Sequence, residues 1–224
     1  MATERSGANK AFRVPVRENS SGNVRPQGTE ARCGLRVLGV DPAAAGATGY
    51  GVIEGEGTKW VLLRFGAFKL PAAATFASRL REIHRTIADL VAEFSPDAVA
   101  VESVFTALNA RTALKLAEIR GVVLLAAAQA AVPAFSYSPR EVKASVAGYG
   151  AASKQQMQQM VSSLLRLSSI PEPTDAADAL AVALCHAQLS QARERMAAAM
   201  AGSPAGAVRG RSNNARAGRV SSQT

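Results

Sequence analysis

The chain has 224 residues, of which 48 % are hydrophobic and 19 % charged, a balance that suits a globular core. No stretch of about 18 apolar residues occurs, so we expect no membrane span. The formal net charge of +9 favours a polyanionic partner such as nucleic acid. The two cysteines, Cys33 and Cys185, match neither a metal-binding spacing nor a disulfide framework, which predicts a reducing, cytoplasmic location.

Most of the positive charge lies at the ends of the chain. Residues 1–34 carry a net charge of +3 and residues 197–224 a net charge of +4, which leaves +2 for residues 35–196. Both end segments lack apolar periodicity, and we expect them to be disordered basic tails. The segment 35–196 is therefore the predicted folded domain, and patches on it must provide most of the attraction to DNA.

The first half of this domain has the pattern of three strands and a helix. Residues 35–41 form a short apolar run that ends in Asp41, as expected for a buried strand. Residues 48–57 and 59–70 follow as two further strands of an antiparallel meander. Apolar residues at helical spacing predict a helix over 75–94, which Ser95–Pro96–Asp97 ends.

The second half alternates strands and helices. Residues 98–103 are a second buried strand that ends in an acid, Glu102. The remaining pattern predicts a helix at 109–131, a strand at 134–138 and helices at 139–147, 153–167 and 174–195. Ser153 and Thr174 are predicted N-caps. This order predicts an α/β fold with a mixed five-stranded sheet flanked by helices.

Four acids stand out against these elements. Asp41 and Glu102 end apolar strands, where an unpaired carboxylate is costly to bury. Asp175 and Asp178 lie three residues apart at the start of the last helix, so they project from nearly the same face. Taken singly, each acid could be a helix cap or a salt-bridge partner. Together they predict a site for Mg²⁺ or Mn²⁺ that could hydrolyse a phosphodiester.

Five segments, which span about residues 35–190, carry most of the predicted core: LRVLGVDP, PDAVAVESVF, NARTALKLAEIRGVVLLAAAQ, YSPREVKASVAGYGAASKQQMQQMV and DAADALAVALCHA. Together, and in this order, they resemble the RuvC family of Holliday junction resolvases. The resemblance implies a ribonuclease H-like fold, a homodimer, and paired symmetric nicks in four-way junction DNA during recombination and repair. It also implies a branch-migration motor complex of the RuvA and RuvB type as partner.

The resemblance also implies roles for individual residues. The family's metal-binding and catalytic acids fall on Asp41, Glu102, Asp175 and Asp178. Its DNA-contacting positions fall on Phe105, Lys143 and Lys154, and its dimerisation helix falls on 109–131. In the expected mechanism, Asp41 and the last two acids hold one or two Mg²⁺, while Glu102 bridges the ions or orients the attacking water. Without the family, Phe105 would equally well be a core residue and the two lysines solvated surface residues.

One departure from the family concerns the turn after Asp41. Relatives usually read DPG there, whereas this chain reads DPAAAGATGYG, so Ala43 replaces a glycine and the turn is about one residue longer. Because Ala disfavours positive φ, we expect a different turn shape. Two alternatives stay open: another ribonuclease H-like nuclease, such as a ribonuclease H or a transposase-like enzyme, and a non-catalytic module that binds four-way junctions.

Overall fold

The computed structural model describes residues 34–44, 46–69, 74–103 and 109–201. Five strands form one sheet: β1 (Leu35–Asp41), β2 (Thr48–Glu56), β3 (Lys59–Phe68), β4 (Ala98–Glu102) and β5 (Ala134–Tyr137). Five helices accompany them: α1 (Phe76–Phe94), α2 (Ala110–Gln129), α3 (Pro139–Ala147), α4 (Lys154–Leu164) and α5 (Thr174–Ala201).

The sheet is mixed, as the sequence predicts. Its strand order is β3-β2-β1-β4-β5. The first three strands pair antiparallel as a meander, while β4 pairs parallel to β1 and β5 parallel to β4. Because β1 and β4 run in the same direction, Asp41 and Glu102 leave the sheet at the same edge.

Helices cover both faces of the sheet. On one face, α1 and α2 bury residues such as Ile83, Ile87 and Ile119 against β1, β2 and β4. On the other face, the first half of α5 is buried against the sheet, and α3 and α4 pack beside it. The sheet is therefore the middle layer of three, and both of its faces are removed from water, which explains the nearly continuous apolar character of β1 and β4.

Local signals place most helix ends. The side chain of Ser153 accepts a hydrogen bond from the backbone of Gln156, so the predicted N-cap is confirmed. Ser95 ends α1 in the left-handed conformation, at the predicted break. Thr174 is instead the first residue of α5 rather than its cap.

The largest difference from the expected bounds is at the end of α5. This helix continues to Ala201, six residues past its expected end, and residues 192–201 are exposed. Those residues, ARERMAAAMA, are strong helix formers, which favours continuation of the helix although little of it is buried. In the described part of the chain, no helix is long and apolar enough to cross a bilayer.

Candidate active site

An open cleft of about 230 Å³ lies at the sheet edge where β1 and β4 end. Asp41 and Glu102 line it from the sheet, and Asp178 lines it from α5. Lys143 of α3 and Lys154 of α4 complete the polar part of the wall. Five residues that the sequence analysis proposed, from five different elements, thus meet around one cavity.

Glycines in the sheet allow α5 to come this close. A Cβ atom on Gly49 would lie 1.9 Å from the carbonyl oxygen of Asp175, and one on Gly39 would lie 2.1 Å from that of Ala179. Gly51 similarly leaves room for Leu180. The helix backbone therefore rests directly on the strand backbones, which brings the start of α5 beside Asp41.

Crowding of acids changes their proton affinity. Burial, and then repulsion by Glu102, Asp178 and Asp175, raises the pKa of Asp41 to about 8. Burial also raises the pKa of Glu102. A hydrogen bond between the two side chains raises the pKa of Asp41 and lowers that of Glu102.

Lysines compensate part of this negative charge. The Lys154 ammonium lies 2.9 Å from Oδ2 of Asp178, and this hydrogen bond raises the pKa of Lys154. Lys143 is close enough to Glu102 to lower the pKa of that carboxyl. Both lysines therefore face the acids, rather than solvent alone.

Asp175 takes a more peripheral position than the other three acids. It lies in the first turn of α5, partly exposed, and does not line the cleft, although its charge acts on Asp41 and Lys154. The proposed DNA-contacting residue Phe105 lies outside the described residues.

The donor set fits a hard divalent cation, because it consists of carboxylate oxygens whose mutual repulsion a cation would relieve. Within the described ranges, however, no three His, Cys, Asp or Glu side chains are already arranged to hold a metal. The raised pKa of Asp41 favours its protonated form, and the Lys154 ammonium lies 2.9 Å from Oδ2 of Asp178. Metal binding would therefore compete with protons at Asp41 and with Lys154 at Asp178.

Two structural features near the site were not predicted from the sequence. Arg79 of α1 donates hydrogen bonds to the carbonyl oxygens of Ala43 and Gly46, in the turn that follows Asp41. Beneath the site, the Tyr137 hydroxyl lies 2.8 Å from Nδ1 of buried His186, which joins β5 to α5. His186 thus has a structural role and does not line the cleft.

Comparison with known proteins identifies relatives along most of the chain. A family model described as the crossover junction endodeoxyribonuclease RuvC matches residues 37–186, which include all four acids. The RuvC of Natranaerobius thermophilus is 46 % identical over 160 residues, which are 71 % of this chain and 99 % of the relative. The RuvC of Thermomicrobium roseum is 47 % identical over 160 residues, 71 % of this chain and 97 % of the relative.

Solved structures agree with this result and confirm the predicted fold class. Thermus thermophilus RuvC in complex with Holliday junction substrate is 36 % identical, with a TM-score of 0.67 over 71 % of this chain and 96 % of that chain. The yeast mitochondrial Holliday junction resolvase Ydc2, 15 % identical, shares the fold with a TM-score of 0.54 over 76 % of this chain and 86 % of that one. This chain belongs to the RuvC family of crossover junction endodeoxyribonucleases.

Proposed function

We propose that this chain is a structure-selective endonuclease that resolves four-way DNA junctions by paired, symmetric nicks. The observation that carries the proposal is the meeting of Asp41, Glu102 and Asp178 with Lys143 and Lys154 around one open cleft. The family match covers all of these residues. The relative from Thermus thermophilus, solved with a Holliday junction substrate, supports the same substrate here.

Mg²⁺, with Mn²⁺ as a possible substitute, is the proposed cofactor. Asp41, Glu102 and Asp178 would hold it, with Asp175 close enough to add a ligand or negative charge. When bound, such an ion activates water and stabilises the leaving oxygen in phosphodiester hydrolysis.

Side chains around the cleft have the remaining proposed roles in cleavage. Lys143 and Lys154 line the cleft, where they would neutralise the phosphate that carries the scissile bond. Glu102, at the end of β4, is the carboxylate that we propose accepts a hydrogen bond from the attacking water. Phe105 is proposed to contact the junction just beyond β4.

A homodimer would present two such clefts to two opposed strands, matching the symmetry of a junction. Helix α2 supports this proposal, because it exposes Leu114 and Leu125, which are 65 % and 51 % accessible. A branch-migration motor complex of the RuvA and RuvB type is the proposed partner, and the cytoplasm the proposed location.

The test is cleavage of a synthetic mobile four-way junction, beside a linear duplex and an RNA–DNA hybrid, with Mg²⁺ or with chelator. Asp178→Asn should bind the junction and fail to cut it. Asp89→Asn is the matched control, because Asp89 is an exposed acid on α1 outside the cleft. Symmetric nicks restricted to the junction would support the proposal.

Other outcomes would replace it. Junction binding without any nick, in Mg²⁺ or in Mn²⁺, would indicate a non-catalytic junction-binding module. Cutting of the hybrid alone would indicate a ribonuclease H. Equal loss of cutting in Asp178→Asn and Asp89→Asn would show that the cleft is not the active site.

A further inference from the structure

Arg79 has an unusual position for an arginine. It lies four residues before Ile83 and eight before Ile87 on α1, so it shares the face of the helix that is buried against the sheet. Its side chain is partly buried, and burial lowers the pKa of its guanidinium. Placing a cation on an apolar face is costly unless its donors are satisfied.

The partners of Arg79 are main-chain carbonyls rather than a carboxylate. Its Nη2 atom lies 2.7 Å from the carbonyl oxygen of Ala43 and 2.6 Å from that of Gly46. Both carbonyls belong to residues 42–47, the turn between β1 and β2, of which residue 45 lies outside the described part of the chain. One guanidinium therefore holds the turn at two points three residues apart.

This turn cannot hold itself through its own side chains. Residues 42–47 read PAAAGA, so none of them carries a polar side chain that could bond to the backbone. Pro42 restricts Asp41 to extended conformations from one side. Arg79 fixes the chain from the other side, two residues after Asp41.

The helix that carries Arg79, α1, is fixed in the core. Ile83, Ile87 and Leu90 on the same helix are buried in the core that α1 forms with β1, β2 and β4. Both hydrogen-bond partners of Arg79 are main-chain oxygens of the turn, so Arg79 can influence Asp41 through the backbone that joins them.

We propose that Arg79 is a positioning residue, which clamps the turn after Asp41 and so keeps the Asp41 carboxylate aligned with Glu102 and Asp178. The proposal rests on the proposed nuclease function, since it assigns Arg79 to the same site. A side-chain shift of about 1 Å at a reacting centre costs on the order of 100-fold in rate. Loss of a residue that orients a metal ligand typically weakens metal binding by about 10- to 100-fold.

The experiment compares Arg79→Gln, Arg79→Lys and the control Arg85→Gln with the wild-type full chain. Arg85 lies on the same helix, but its side chain is 57 % accessible and pairs with Glu82 rather than with the turn. Four quantities are measured: unfolding temperature, junction affinity in chelator, the single-turnover cleavage rate constant, and Mn²⁺ affinity without DNA by calorimetry.

Arg79→Gln should bind junctions within about threefold of wild type, cut them about 100-fold more slowly, and bind Mn²⁺ at least about tenfold more weakly. Arg79→Lys should recover part of both losses, because an ammonium group can still donate to the two carbonyls. It should also fold if the glutamine variant does not. Arg85→Gln should match wild type in all four measurements.

Wild-type cleavage and Mn²⁺ affinity in Arg79→Gln and Arg79→Lys would overturn the proposal. Equal losses in Arg85→Gln would also overturn it, because they would come from the helix rather than from the turn. Failure of the wild-type chain to cut any junction would instead refute the proposed function. The Mn²⁺ affinities would still report whether Arg79 positions Asp41.

Discussion

Substituting Gly49 by Ala tests the close contact that sets α5 beside Asp41. Gly49 pairs with Asp41 across β1 and β2, and its missing side chain leaves room for the first turn of α5. A Cβ atom there would lie 1.9 Å from the carbonyl oxygen and 2.4 Å from the carbonyl carbon of Asp175. Both neighbours are backbone atoms, so no side-chain rotation can relieve the clash.

The size of the effect follows from these distances. Cβ contacts below 3.0 Å essentially do not occur, so the start of α5 must retreat by at least about 1 Å. Gly39 and Gly51 hold the rest of the helix on the sheet, which makes a smooth shift costly. We expect a loss of about 1–3 kcal/mol in the free energy of unfolding. That corresponds to roughly 2–12 °C in unfolding temperature.

Cleavage should suffer as well, because Asp175 and Asp178 move with the helix. We expect the single-turnover rate constant for junction cleavage to fall by about 100-fold, while junction binding in chelator is retained. Asp89→Ala is the control for stability, since Asp89 is an exposed residue on α1 outside the cleft. It should change the free energy of unfolding by no more than about 0.5 kcal/mol.

An unchanged unfolding temperature and cleavage rate in Gly49→Ala would refute this reasoning, because α5 could then not lie as close to β2 as described. Removing the Asp175 side chain offers a second check. Since the clash is with the backbone of Asp175, Asp175→Ala should not restore the stability of Gly49→Ala.

Three further predictions concern charge. Mg²⁺ at a hundredfold excess over its Kd should stabilise the wild type by about 2.7 kcal/mol. This stabilisation should be absent in Asp41→Asn. At a fixed Mg²⁺ concentration it should be larger at pH 8 than at pH 6, because Asp41, with a pKa of about 8, must lose its proton before the metal binds. Lys154→Met should tighten Mn²⁺ binding without DNA, since it frees Asp178. It should also lower the salt dependence of junction binding by about one unit of slope. If neither the Mn²⁺ affinity nor the salt dependence changed, the pairing of Lys154 with Asp178 would be contradicted. Burial lowers the pKa of His186 to about 4, whereas the unfolded residue takes up a proton near pH 6.5, so stability should fall as pH drops through that interval. In urea titrations, the stability gap between wild type and His186→Gln should therefore narrow towards pH 4, and a constant gap would count against this reading.

The sequence by itself determined the elements and the identity of the acids. Apolar runs that end in Asp41 and Glu102 predict buried strands with carboxylates at their ends, and the spacing of Asp175 and Asp178 predicts one helix face. These inferences succeed because periodicity and capping are local properties. The prediction that α5 ends at residue 195 was wrong for a related reason: residues 196–201 are also good helix formers, and composition alone did not show how far the helix extends.

Only the tertiary structure decided how the elements meet. It shows that α5 rests on Gly39 and Gly49, that Lys154 faces Asp178, and that Arg79 reaches from the opposite layer to the turn after Asp41. Each contact joins residues at least 24 positions apart in the chain, and the smallest separation is that of the Lys154–Asp178 pair. A contact of that kind depends on how the layers pack, not on the conformational preferences of neighbouring residues. The spacing of the glycines and the arginine on the amphipathic helix α1 could therefore be interpreted only once the packing of the helices on the sheet was known.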